Sequence, residues 1–266
     1  MTANKFIKLI KVRGIELAYE VFGSGPQDII FIHGATYRYA LYKGLLDELA
    51  LRFRIIALDC RGHGGSAKVV DKVTVDQLSD DILAVTSALN LRQAIYVGHS
   101  MGGLLGLVCA IKEPQRFKAL VVITPGPVSY GKSVDAEFIE RRVRAHQNKE
   151  FTIADEQRLY VRAMSEKFLK AGIEAAYLMD PIVYKNWAMV ERKKENRIFD
   201  RLEEIEIPTL FINGIHDIAV SIEEQHRMAL TLPHCKEVVF TDEGHMLPLE
   251  APRRTALEII NFYTNI

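Results

Sequence analysis

The stretch "YVGHSMGG", residues 96–103, decides how the chain reads. With its flanks it becomes "AIYVGHSMGGLLGLVCAIK", residues 94–112: an apolar strand, a glycine turn, then a helix. Inside it, Ser100 stands midway between Gly98 and Gly102. Glycines at those places remove Cβ atoms that would collide in a sharp strand-to-helix turn. Such a turn projects the serine side chain, and the helix that follows aims its free N–H groups at the same point. The plainer alternative is a small polar residue in a tight turn. A serine hydroxyl is a poor nucleophile alone; it needs a base, a group to orient that base, and donors for an oxyanion. The rest of the chain either supplies them or does not.

The chain around it has 266 residues, 48% hydrophobic and 26% charged, with 34 basic and 34 acidic side chains. Zero formal charge leaves no basic footprint for nucleic acid. No apolar run approaches the roughly 18 residues of a membrane span. The start, "MTANKFIKLIKVRG", lacks the apolar core and cleavage site of a signal peptide. Cys60, Cys109 and Cys235 are scattered, without metal-ligand spacing, and read as reduced thiols. A cytoplasmic protein is the expectation that follows.

Short apolar runs alternate with helical patterns. "IKLIKV" and "IELAYEVFG" read as an antiparallel pair joined at Arg13-Gly14. "DIIFIHG", "FRIIALDC", "AIYVGHS", "ALVVITPG", "PTLFINGI" and "KEVVFTDEG" follow as strands. Their continuous apolar character suits strands buried on both faces. Helical segments lie at Leu41–Leu51, Val75–Leu89, Met101–Lys112, Ile222–Leu232 and Pro252–Tyr263. Strand–helix alternation predicts an α/β fold with a mostly parallel sheet. Between 128 and 200 the rhythm breaks. No strand is evident, and "DAEFIERRVRAHQ", "ADEQRLYVRAMSEKFLKAG" and "IEAAYLMD" have helical spacing. A helical insertion is expected there. Its Tyr160, Tyr184 and Trp187 are candidates to line a substrate pocket; internal packing is the competing reading.

A donor comes from "DIIFIHGATY", which ends a strand at His33-Gly34-Ala35. The backbone N–H of Ala35, with that of Met101, would make a two-donor oxyanion hole. His33 reads as structural. Among the eight histidines, His245 lies on the loop after the last strand, in "VVFTDEGHMLPLEAP", where it can reach across the C-terminal sheet edge. His99 sits on the turn itself and points elsewhere. The loop "TPGPVSYG" offers no carboxylate, whereas "NGIHD" gives Asp217. Asp217 is the candidate acid, with Asp242 and Glu243 as rivals by closeness in sequence to His245. Asp59 reads as ordering its own turn.

By "HGA" (33–35), "DCRGHGGS" (59–66), "GHSMGG" (98–103), "NGIHD" (213–217) and "DEGHMLPLEAP" (242–252), the chain resembles the α/β-hydrolase fold superfamily. The resemblance implies an eight-stranded, mostly parallel sheet flanked by helices. Residues 1–127 and 201–266 would form this core, and 128–200 a helical cap after the sixth strand. It implies Ser100 as nucleophile, Asp217 as acid, His245 as base, and Ala35 and Met101 as backbone donors, with neither metal nor organic cofactor. Relatives with an aspartate nucleophile, the haloalkane dehalogenases and epoxide hydrolases, are disfavoured by Ser100. Esterases, lipases, lactonases, carbon–carbon bond hydrolases and cofactor-free perhydrolases keep the serine. The expected partner is a small to medium, mainly apolar substrate, with the chain a monomer or homodimer. A ligand receptor carrying a relic triad is the non-enzymatic alternative, against which the complete residue set speaks. If Met101 acts only through its N–H, Met101→Ala should preserve activity.

Overall fold

The computed structural model describes residues 7–68, 73–126, 143–181, 183 and 198–266. The opening turn is tight: Arg13 and Gly14 both adopt positive φ, 49° and 80°, which matches the twist of a two-residue hairpin. It joins β1 (Lys8–Val12) to β2 (Ile15–Phe22), antiparallel, with Val12 opposite Ile15. Six more strands complete the sheet: β3 (Gln27–Ile32), β4 (Phe53–Leu58), β5 (Ala94–His99), β6 (Phe117–Ile123), β7 (Thr209–Gly214) and β8 (Cys235–Phe240). Their order is β1-β2-β4-β3-β5-β6-β7-β8. From β4 to β8 all pairs are parallel; β2 meets β4 antiparallel.

Every residue of β5 and β7 is buried, as their unbroken apolar sequences require. Alternate side chains enter opposite cores, because successive Cβ atoms point to opposite faces. Ile30, Tyr96, Leu120 and Phe211 join one core with helices α2 (Val75–Ala88) and α3 (Met101–Lys112). Ile29, Ile95, Val121 and Ile212 join the other with α1 (Lys43–Ala50) and, further along the chain, the last helix, Pro252–Thr264. Thr74 starts α2 through a capping box with Gln77, satisfying N–H groups that helix geometry orphans.

Among its described residues the insertion departs from its sequence reading at one turn. The spacing of residues 154–172 predicts continuous helix. They form instead α4 (Ile153–Gln157), a turn, and α5 (Glu166–Leu178). The Gln157 side chain closes the turn, donating to the Arg162 carbonyl at 2.8 Å and accepting from Met164 N at 2.9 Å. Ser165 then caps α5, accepting from Phe168 N. Tyr184 and Trp187, like 128–142 of the insertion, lie outside the described residues. After β7 come α6 (Ile222–Thr231), α7 (Leu247–Glu250) and α8 (Pro252–Thr264). Among the described residues, no helix is long and apolar enough to cross a membrane.

Candidate active site

The turn between β5 and α3 brings two backbone segments closer than side chains allow. A Cβ on Gly98 would lie 2.2 Å from the Gly102 oxygen, and one on Gly102 2.3 Å from the Ile32 oxygen. Between them Ser100 adopts φ 50° and ψ −112°, a conformation disfavoured for a non-glycine residue. It is held there from both sides: Ser100 N donates to Ile123 O at 2.9 Å, and Gly126 N donates to Ser100 O at 3.0 Å. Two other hydroxyl residues beside the sheet's C-terminal edge share the strain, Thr36 at φ 66° and Thr124 at φ 38°.

The loop after β8 carries His245 to this serine. Its Nε2 lies 2.9 Å from Ser100 Oγ, and its Nδ1 lies 2.9 Å from Asp217 Oδ2. A carboxylate only accepts, so the proton sits on Nδ1 and Nε2 is left as acceptor for the serine hydroxyl. Asp217 has no side-chain exposure and four donors. Oδ1 accepts from Ala219 N at 2.7 Å and Val220 N at 3.0 Å; Oδ2 accepts from Gln225 Nε2 at 2.8 Å as well as from His245. Burial alone would raise its pKa, but the facing imidazole and the backbone N–H groups outweigh burial and hold it below the ordinary value. Asp217 is therefore a fixed anion behind the imidazole.

The rivals stand elsewhere. The Glu243 carboxylate is buried between Arg162, at 2.5 Å, and Arg254, at 3.2 Å. Asp242 bonds only its neighbour Thr241 among the described residues. Asp59 does order its turn, accepting from Gly65 N, and it also reaches Tyr39 N beyond β3. His33 is structural: Nδ1 donates to Gly34 O and Nε2 accepts from Cys60 N. Burial lowers its pKa to about 4.

Neither the Ala35 N–H nor the Met101 N–H meets a protein acceptor among the described residues, so both are free to donate. The Met101 side chain, at the start of α3, adds a stability effect to that expectation, because it is fully buried in the core. Met101→Ala should thus destabilise by about 2–5 kcal/mol through the cavity it leaves. Turnover per folded molecule should stay near wild type, which thermal melts and active-site titration together would check.

Sequence reading missed Gln225, Tyr42, His99 and Thr124 as supports of the site. It also missed the ties that reach the site from the insertion. Tyr37 OH donates to Glu156 Oε1 at 2.5 Å and lies 3.0 Å from Tyr160 OH. Arg162 N donates to Glu250 Oε1 at 2.7 Å. Tyr160 is buried at this junction, with its ring edge on Phe168, and it also walls a cavity. That cavity, of about 470 Å³, lies between Arg158–Val161 and Ile215–Ile218, next to Asp217.

Residues 29–252 match the alpha/beta hydrolase fold family, and the chain belongs to it. A curated relative is the dihydrolipoyllysine-residue acetyltransferase component of the acetoin cleaving system of Pseudomonas putida, 25% identical over 92% of this chain. The chain spans only 65% of that relative's length. 3-Oxoadipate enol-lactonase 1 of Acinetobacter baylyi is 26% identical and is covered equally, 87% of each chain. Among solved structures, a thermophilic esterase from Thermogutta terrifontis superposes with a TM-score of 0.78, at 25% identity and 99% coverage of both chains.

Proposed function

We propose that the chain is a serine hydrolase that opens a carboxylic ester or lactone through an acyl-enzyme on Ser100. The observation that carries this reading is the unbroken line Ser100 Oγ, His245 Nε2, His245 Nδ1, Asp217 Oδ2, with both contacts at 2.9 Å. His245 takes the Ser100 proton as Oγ attacks the carbonyl carbon. The carbonyl oxygen becomes an oxyanion held by the Ala35 and Met101 N–H groups. Asp217 stabilises the imidazolium and keeps the tautomer. As the C–O bond breaks, His245 returns the proton to the leaving oxygen. With an ester the alcohol departs; with a lactone it stays tethered to the acyl group. His245 then deprotonates a water, which releases the acid and restores Ser100. No step needs a metal or an organic cofactor.

The insertion at 128–200 would act as the cap over a core of 1–127 and 201–266. Supporting this, its described part bonds both the loop that carries Ala35, through Tyr37, and the loop that carries His245, through Arg162 and Glu243. Similarity to an enol-lactonase over most of both chains favours small acyl compounds as substrates.

The test offers p-nitrophenyl acyl esters, simple lactones and vinylogous diketones to the same preparation, with a fluorophosphonate probe beside them. Ester or lactone turnover with probe attached to Ser100 is expected. Rapid diketone cleavage with no ester or lactone turnover would replace this reading by a carbon–carbon bond hydrolase. A folded chain that the probe leaves unlabelled would argue for a binding protein.

A further inference from the structure

One buried hydrogen-bond line in the site is used by neither the nucleophile nor the acid. It starts at the Gly34 N–H, which donates to Tyr42 OH at 3.0 Å. Tyr42 OH lies 2.6 Å from His99 Nδ1. His99 Nε2 lies 2.8 Å from the His245 carbonyl oxygen. The direction of every proton is fixed. A carbonyl only accepts, so His99 carries its proton on Nε2. Its Nδ1 is then an acceptor, and the Tyr42 hydroxyl donates to it. That hydroxyl's oxygen remains to accept from Gly34. Thr124 Oγ donates to the same His245 carbonyl, at 2.9 Å. Tyr42 and Thr124 are fully buried and His99 is 1% exposed, so water does not compete for these groups. The backbone strain at Thr124, a β-branched residue with φ 38°, aims its hydroxyl at that carbonyl.

The two ends of the line are what give it a purpose. Gly34 immediately precedes Ala35, one free donor of the site, and the other end is the backbone of the base itself. We infer that His99 and Tyr42 are positioning residues that hold the Ala35 turn and the His245 base in one fixed relation, with Thr124 as a second grip on the base. This rests on the roles proposed above for Ser100, His245 and Ala35. His99 touches neither Ser100 Oγ nor the imidazole nitrogens of His245 through any hydrogen bond; it acts through the backbone of its neighbour. Reacting groups misplaced by about 1 Å can lose about a hundredfold in rate, so a rigid grip at this point matters.

The geometry gives a discriminating pair of substitutions. A glutamine amide nitrogen falls where Nε2 stands, so His99→Gln keeps the donor to the His245 carbonyl. An asparagine reaches only the Nδ1 position, so His99→Asn keeps a partner for Tyr42 and drops the grip on His245. The readout is the rate of labelling by a fluorophosphonate probe, resolved into maximal rate and half-saturating concentration. His99→Asn should lower the maximal rate by about 10- to 100-fold with the half-saturating concentration within about twofold, and His99→Gln should stay within about threefold of wild type. Tyr42→Phe removes the donor that fixes the His99 tautomer and should lower the maximal rate too. Because all act through one line, Tyr42→Phe/His99→Asn should lose no more than His99→Asn alone.

Wild-type rates in both His99→Asn and Tyr42→Phe, with unchanged melting, would overturn the inference. So would equal losses in His99→Asn and His99→Gln, or additive losses in the double variant. If His99→Asn does not fold, Tyr42→Phe alone decides, and a wild-type rate there overturns it. A wild-type chain that the probe does not label would instead overturn the proposed function, and this inference with it.

Discussion

Ser100→Ala is expected to abolish covalent labelling and to cut kcat on the order of a million-fold, while the chain stays folded. Only one oxygen is removed. The turn does not depend on it, because Gly98, Gly102 and the backbone bonds to Ile123 and Gly126 shape the residue. Alanine inherits the same φ of 50°, so the strain remains and the melting temperature should move little. Removing the nucleophile also strands its partners. His245 still faces Asp217, and the proposed backbone donors, the Ala35 and Met101 N–H groups, are untouched. Residual turnover of roughly 10³ over uncatalysed hydrolysis can therefore persist through the donors and binding alone. The measurement is a single-turnover ester assay with intact-mass analysis after probe treatment. A loss below about tenfold, or probe attached in the alanine variant, would remove Ser100 from the mechanism.

Much of this arrangement was legible in the sequence, for a physical reason. Ser100 directly follows β5, and Ala35, Asp217 and His245 lie within about five residues of the ends of β3, β7 and β8, in loops punctuated by glycine. Parallel strands leave all their C-terminal ends on one edge, so residues at those ends converge whatever lies between them. The supports were not legible, because their meaning depends on partners far along the chain. From the sequence His99 is expected on the turn, pointing elsewhere. Its ring does avoid the serine, yet it grips the backbone of a residue 146 positions away. Tyr42 lies in a short turn that reads as the start of a helix. Gln225 lies on an amphipathic helix where its burial and its bond to Asp217 leave no periodic trace. The insertion failed differently. Its helical spacing runs across 154–172, but the side-chain amide of Gln157 closes a turn inside it, and spacing does not register such a bond. Met101 shows another limit: its position beside Ser100 is plain in the sequence, whereas the burial of its side chain depends on how α3 packs on the sheet.

The buried histidines also make acid stability steep. Burial lowers the pKa of His33 to about 4, and that of His63 and His99 to about 3. All three are neutral in the folded chain near neutral pH, while in the unfolded chain each titrates near 6.5. Below 6.5 the unfolded state binds protons that the folded state refuses, so stability falls as pH falls, down to the folded values. Well below 6.5, each histidine contributes about 1.4 kcal/mol per pH unit, and the three together about 4. Between pH 7 and pH 5 the sum is about 5–6 kcal/mol, against a total stability of about 5–15 for an ordinary domain. Asp59 works the other way. Burial raises its pKa, so the folded form takes its proton first, but that acts only towards the carboxylate range. Asp217, held low, adds to the loss below about pH 4. His63 separates this account from a general acid effect. Its Nδ1 donates to the Arg61 carbonyl at 3.0 Å, and its buried Nε2 has no partner among the described residues. In His63→Asn an amide nitrogen falls at the Nδ1 position and nothing titrates. His146, also buried and with its pKa lowered, still contributes, so urea melts from pH 7 to pH 5 should then show a shallower fall in stability than wild type without abolishing it. An unchanged slope in His63→Asn, or a wild-type stability flat across that range, would mean that these imidazoles take up protons without unfolding.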